Sequence, residues 1–176
     1  MHAECTFRPP SRRRSNDACH FTPGRSATGA RARGRFVLIS ALTVTRPGAL
    51  PRLEAAFGDL ARQTHEDREL VVVHDGDAAF DTSVRCLADL AGLRATVERA
   101  EAGRTLGELR NRSVALARGE LVVQWDDDDR HHPERLARQA AELVARDAAY
   151  SFLTEQLHWF PAQRTLYWED WGAEAY

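Results

Sequence analysis

Leu121-Val122-Val123-Gln124-Trp125 runs directly into Asp126-Asp127-Asp128-Asp129, and Pro133 follows shortly after. The pattern reads as a buried strand, an acidic loop at its carboxyl end, and a helix with proline at its first position. Carboxylates massed in this way repel one another unless positive charge sits between them. A divalent cation supplies that charge: Mg²⁺ and Mn²⁺ take hard oxygen ligands, commonly one or two carboxylates together with phosphate and water. Alternate residues of an extended segment face the same way, so Asp126 and Asp128 are the candidate metal ligands. Asp127 then points elsewhere, toward a donor-side contact such as a ribose, and Asp129 supports the turn into Pro133.

The period of the chain alternates around this stretch. Upstream, Phe36-Val37-Leu38-Ile39-Ser40-Ala41-Leu42 and Leu70-Val71-Val72-Val73 are continuous apolar runs, as expected of strands buried on both faces. Between them Leu50, Leu53, Phe57 and Leu60 recur at helical spacing. Residues 79–92 read as a weak helix and Ala95-Thr96-Val97-Glu98 as a short strand. Thr105-Leu106-Gly107-Glu108 is a capping-box pattern, opening a helix with Leu106, Leu109 and Leu116 on one side. Gly119 is expected to be the left-handed cap of that helix. The helix from Pro133 turns Leu136, Ala140, Leu143 and Val144 inward. Short strands are expected at 149–154, 157–161 and 165–169, where the aromatics crowd. These aromatics are expected to serve mainly as core.

Strand–helix alternation of this kind predicts an α/β fold, a mostly parallel sheet flanked by helices, with right-handed crossovers. Ligands bind such sheets outside the carboxyl ends of the strands. Three polar clusters fall there: Thr43–Arg46, His74–Asp77 and Asp126–Asp129. Asp75, after the second run, is placed to accept hydrogen bonds from a base or sugar.

Composition sets outer bounds. The chain has 176 residues, enough for one domain with a real core, and every basic residue is Arg. Residues 1–35 carry a formal charge of +6 and few apolar side chains, and are expected to be disordered; the remainder carries −8. An acidic body argues against a nucleic-acid-binding domain and suits one that gathers cations. Cys5, Cys19 and Cys86 show no metal-type spacing. With no run long and apolar enough to span a bilayer, the expected location is the cytoplasm, peripheral at the membrane surface where an acceptor is lipid-linked.

Taken together, Leu70–Asp77, Leu109-Arg110-Asn111-Arg112, Ala117-Arg118-Gly119-Glu120, Trp125–Asp129 and Pro133-Glu134-Arg135-Leu136 resemble glycosyltransferase family 2 over roughly residues 36–147. The resemblance implies the A-type glycosyltransferase fold, a nucleotide-diphosphate sugar as donor, and Mn²⁺ or Mg²⁺ as cofactor. It also implies inverting transfer to an acceptor hydroxyl on a glycan, a lipid-linked carrier or a small molecule. By position, Asp126 and Asp128 resemble the ends of the family's aspartate-any-aspartate metal motif. Thr43, Asp75 and Arg110 resemble its nucleotide-contacting residues, with Asn111 beside Arg110. Leu42 stands where proline is usual, Thr45 where asparagine is, and His74 replaces the first of two acids.

Family members draw their catalytic base from a carboxylate further along the chain. Glu155, Glu169, Asp170 and Glu174 are the late acids here, and none sits in a matching motif, so the catalytic residue is left unassigned. A fragment that binds donor without transferring it is therefore the second reading. A nucleotidyltransferase is a third, weakened because Thr43-Val44-Thr45-Arg46-Pro47-Gly48 is a poor phosphate loop. His131 and His132 are expected to shape the turn before Pro133 rather than to ligate metal.

Overall fold

The computed structural model of the chain describes residues 37–172. The Arg-rich segment 1–35, Phe36, Cys5, Cys19 and Glu174 lie outside the described residues. In chain order the elements are β1 (Ile39–Thr45), α1 (Leu50–Ala61), β2 (Arg68–His74), α2 (Ala78–Leu90), β3 (Ala95–Arg99), α3 (Leu106–Leu116), β4 (Leu121–Gln124), α4 (Arg135–Arg146), β5 (Glu155–Phe160) and β6 (Thr165–Asp170). The first four strands form one parallel sheet in the order β3-β2-β1-β4, and β5 with β6 forms a separate antiparallel pair.

The two apolar runs become the central strands because only central strands bury both faces. β1 and β2 are buried almost throughout and pair in register from Ile39↔Arg68 to Thr45↔His74. Against them α1 packs Leu53, Ala56, Phe57 and Leu60, all inaccessible to solvent. β4 departs from expectation: it is an edge strand, alternating half-buried and exposed residues, with Val122 53% exposed. Apolar composition alone does not distinguish an edge from a centre.

Several boundaries and faces also differ. β1 begins three residues later than its apolar run and ends at Thr45, so Thr43 lies within the strand rather than after it. Residues 149–154 form no strand. Pro133 sits in the turn ahead of α4, whose first turn is capped from outside instead: Gln63 Oε1 accepts the Leu136 amide at 3.0 Å. Leu106 and Val144 face solvent, leaving Leu109 and Ser113 as the buried residues of α3 and Leu136 and Ala140 as those of α4. The late aromatics are not core: Tyr150, Phe152, Trp159, Tyr167, Trp168 and Trp171 are all exposed.

Gly119 has a different role from the one expected. The helix before it ends at Ala117 in extended conformation, and Gly119 is not among the residues with positive φ. Its constraint is space, because a Cβ there would lie 2.7 Å from Leu38 O, Ser40 N and Ser40 Oγ. The backbone comes this close because Gly119 N donates to Ser40 Oγ at 2.8 Å, and Ser40 Oγ donates to buried Glu69 at 2.7 Å. Glu69 also accepts from the Arg118 amide (2.8 Å) and guanidinium (2.9 and 2.7 Å). One carboxylate thus ties β2, β1 and the approach to β4 together. Burial pushes the Glu69 carboxyl up, but the bonds from Ser40, the Arg118 amide and the Arg118 guanidinium outweigh it and leave the group below the usual range.

No helix among the described residues is long and apolar enough to cross a membrane.

Removing the Glu69 side chain leaves buried donors without an acceptor, so Glu69→Ala should lower the urea-unfolding free energy by about 2–3 kcal/mol. Gly119→Ala should also destabilise, since strand backbone must move aside. The folded-state pKa of Glu69 is depressed, so its stabilisation is complete above its unfolded value of about 4.3 and is lost as pH falls through the folded value. Thermal melts taken from pH 7 down to pH 3 should therefore fall more steeply for the wild type than for Glu69→Gln. Parallel curves would sink that assignment.

Candidate functional site

The three polar clusters lie at the carboxyl ends of the neighbouring strands β2, β1 and β4, and side-chain bonds join those of β1 and β4. Trp125 N donates to Leu42 O at 2.9 Å, extending the β1–β4 ladder by one residue, and buried Thr43 Oγ1 donates to Trp125 O at 2.7 Å. Thr45 Oγ1 then donates to Asp127 Oδ2 at 2.6 Å, while Arg52 of α1 lies 3.8 Å from Asp127 Oδ1. Two sequence assignments change as a result. Thr43 has no solvent-facing surface and spends its hydroxyl on the backbone, so it supports the loop. Asp127 does point away from its neighbours, but its carboxylate is largely covered and tied to Thr45.

The other three aspartates are less covered, Asp126 half-buried and Asp128 and Asp129 exposed. Asp126 Oδ1 accepts from Gln124 Nε2 at 2.7 Å and lies 3.7 Å from Arg110 Nη2, which confirms the convergence of α3 on this loop. Asp128 is exposed and has no hydrogen-bond or ion-pair partner among the described residues. Asp129, expected to support the turn, instead feels both: loss of water around its carboxyl, then the charges of Asp126 and Asp128, hold it above the usual range, although the residue as a whole remains exposed. Arg135 and His158 act on it in the opposite sense. The turn itself is made by the histidines. His132 Nδ1 accepts from Glu134 N at 3.2 Å, and His131 stacks on Trp125 with ring centres 4.2 Å apart. Burial and the neighbouring Arg135 push His131 down to about 4, so it is neutral at physiological pH.

Sequence reasoning missed the residues that hold this loop. Trp125 Nε1 donates to Ala56 O at 2.9 Å. Buried Asp59 accepts from Arg130 Nε (2.7 Å) and Nη2 (2.9 Å), from His131 N (3.0 Å), and from Arg62. Those bonds, led by that from Arg130, hold Asp59 below the usual range in spite of burial. Gln63 Nε2 donates to His132 O at 2.8 Å, and Thr64 N to Pro133 O at 2.8 Å. One signal was present in the sequence: Asp59 is an acid among the inward positions Ala56, Phe57 and Leu60.

At the end of β2, His74 explains its departure from the two-acid pattern. It is fully buried, with Nδ1 accepting from Gly76 N at 3.2 Å and Nε2 lying 3.1 Å from Asp81 Oδ1. Asp81 is held below the usual range, chiefly by its bond from Arg85. A Cβ on Gly76 would lie 2.5 Å from the Phe80 ring, so only glycine fits this turn. The turn presents Asp75 half-buried, with no hydrogen-bond or ion-pair partner among the described residues.

Chemically, the loop offers exposed, crowded carboxylates flanked by Arg110 and Arg135. Among the described residues no group of three or more His, Cys, Asp or Glu side chains forms a ready metal cage. That donor set fits Mg²⁺ or Mn²⁺, which complete their shells with phosphate oxygens and water. Two of the late acids are engaged, Asp170 Oδ1 accepting from Gly172 N at 2.9 Å and Glu169 lying 3.1 Å from His158, while Glu155 is exposed with no side-chain partner among the described residues. A cavity of about 530 Å³ lies away from Asp126–Asp129, along the edge strand β4 and lined also by Tyr150 and Phe152.

The fold is shared with solved structures. A crystal structure of residues 1–349 of S. aureus TarS superposes with a TM-score of 0.55 at 24% identity, covering 62% of this chain and 33% of that one. The same protein in complex with UDP-GlcNAc gives 0.53 at 23% identity, covering 62% and 32%. The mannosyltransferase PcManGT from Pyrobaculum calidifontis, in complex with GDP-Man and Mn²⁺, gives 0.56 at 23% identity, covering 61% and 32%. The chain thus spans about a third of the length of these proteins. No protein of curated function matches its sequence significantly. The model of the family described as glycosyl transferase family 2 matches residues 42–171, from the second half of β1 to the end of the β5–β6 pair, and the chain belongs to that family.

Proposed function

We propose that this chain binds a nucleotide-diphosphate sugar with Mn²⁺ or Mg²⁺ and serves its transfer to an acceptor hydroxyl. The observation that carries the reading is the group of half-buried Asp126 and exposed Asp128 and Asp129, with Arg110 3.7 Å from Asp126, at the carboxyl end of a parallel sheet in a family 2 chain. Asp126 and Asp128 would hold the cation, which when bound supplies positive charge for the diphosphate as it departs. Arg110 stands beside the same carboxylates and is available to the diphosphate or to the nucleoside. Asp75, unpartnered at the end of β2, accepts hydrogen bonds from the nucleoside. Thr45 and Arg52 fix Asp127 on the donor side, and Thr43 fixes the backbone beneath it. The complexes of the related folds with GDP-Man and with UDP-GlcNAc support the donor class.

In the reaction the bond between the anomeric carbon and the diphosphate oxygen breaks, and a bond from that carbon to the acceptor oxygen forms. The acceptor proton goes to a base on the opposite face of the sugar, with inversion. The protein acts in the cytoplasm, at the membrane surface where the acceptor is lipid-linked. A second reading, donor binding without transfer, is favoured by the engagement of Glu169 and Asp170 within their own hairpin.

Calorimetric titration with UDP and with GDP should show binding of at least one that depends on Mn²⁺ and is lost in Asp128→Ala. Binding that is indifferent to the metal and to that substitution would overturn the assignment. Asp75→Ala should weaken nucleotide binding by roughly ten-fold, in line with one charge-assisted hydrogen bond, while leaving the affinity for Mn²⁺ alone unchanged. Donor hydrolysis or transfer by the 176-residue chain would eliminate the second reading.

A further inference from the structure

We propose that Asp59, on α1 and outside the aspartate run, is a positioning residue for the cation site, acting through Arg130 and His131. The inference rests on the reading that Asp126 and Asp128 take the cation. Asp59 is 2% exposed, and its inward neighbours Ala56, Phe57 and Leu60 are apolar. Burying a carboxylate costs several kcal/mol unless partners repay it, so packing of α1 alone would favour an apolar side chain there. Its partners explain the charge. Arg62 is on the surface of the same region, but Arg130 and the His131 amide belong to the loop, 71 and 72 residues further on.

Arg130 immediately follows Asp129, yet it commits Nε and Nη2 to Asp59 and forms no ion pair with the four aspartates among the described residues. The clamp therefore does two things at once. It fixes the far end of the run, the near end being fixed by the Trp125 indole on Ala56 O. It also keeps the arginine next in sequence from occupying the place of a metal ion.

The test uses the full chain as wild type, Arg130→Ala, Arg130→Lys and Asp59→Asn. Each is titrated with Mn²⁺ alone, free ion being read by electron paramagnetic resonance, and hydrogen exchange of residues 126–132 is measured without metal. Arg130→Ala leaves Asp59 with Arg62 and the His131 amide, so the variant should fold with a lowered melting temperature. It should bind Mn²⁺ several-fold to about ten-fold more weakly and exchange faster across the loop, with partial recovery in Arg130→Lys. The direction discriminates, because deleting a positive charge beside an anionic site would by charge alone tighten cation binding. Asp59→Asn should weaken binding at least as much; if it does not fold, Arg130→Ala still decides. Unchanged or tighter Mn²⁺ binding in Arg130→Ala overturns the proposal and leaves the metal reading standing. A wild type that takes no Mn²⁺ overturns both.

Discussion

Helix α1 follows the aspartate loop along its own length, and that grip is what turns four repelling carboxylates into a defined arrangement. Arg52 near its start reaches Asp127, the Ala56 carbonyl takes the Trp125 indole, Asp59 takes Arg130 and His131, and just past its end Gln63 and Thr64 donate to the His132 and Pro133 carbonyls. Left to itself, a run of like charges spreads, because extension separates the charges at little cost. Here its two ends are fixed to one rigid element, so the carboxylates stay close. Lost hydration first, and then the charges of Asp126 and Asp128, hold the Asp129 carboxyl above the usual range.

The same logic separates two kinds of acid in this chain. Asp59 and Glu69 are buried, each accepts hydrogen bonds from an arginine and a backbone amide, and each is depressed below the usual carboxylate range. Such acids are structural, since their charge is consumed by partners inside the protein. Asp128 and Asp129 are exposed and Asp126 is half-buried, and Asp129 feels the charges of the other two. Asp75 is only half-buried and unpartnered. Exposure and want of partners, more than acidity, mark the carboxylates available to a ligand.

What could be read beforehand follows from which physical signals are local. Periodicity is local, so β1, β2, β3 and all four helices were legible, and chain order placed their polar ends at one edge of a parallel sheet. The fold and the convergence of Thr45, His74–Asp77, Arg110 and Asp126–Asp129 were accordingly within reach. Sheet position is not local: Leu121–Gln124 is as apolar as an interior strand, but nothing in those four residues says that no further described strand pairs beyond them. Gly119 shows the same limit, because its constraint comes from Ser40, 79 residues away. Thr43 failed for a subtler reason, as one residue of strand register decides whether a threonine meets solvent or the backbone of its neighbour.

The late aromatics mark where sequence rules lose their grip, and the reason bears on how the site is built. Aromatics in strands are core when a second layer covers them, yet β5 and β6 pair only with each other, so Leu157, Trp159, Leu166 and Trp168 share one uncovered face. The buried core instead gathers around α1, β1 and β2, the elements that hold the loop from one side. The contacts that fix the loop come from β1 and α1, through Thr43, Thr45, Ala56 and Asp59. A hard divalent ion gives up water only to ligands already in place, and a loop fixed in this way meets that demand. From the later half of the chain, His158 of β5 reaches Asp129 through its charge.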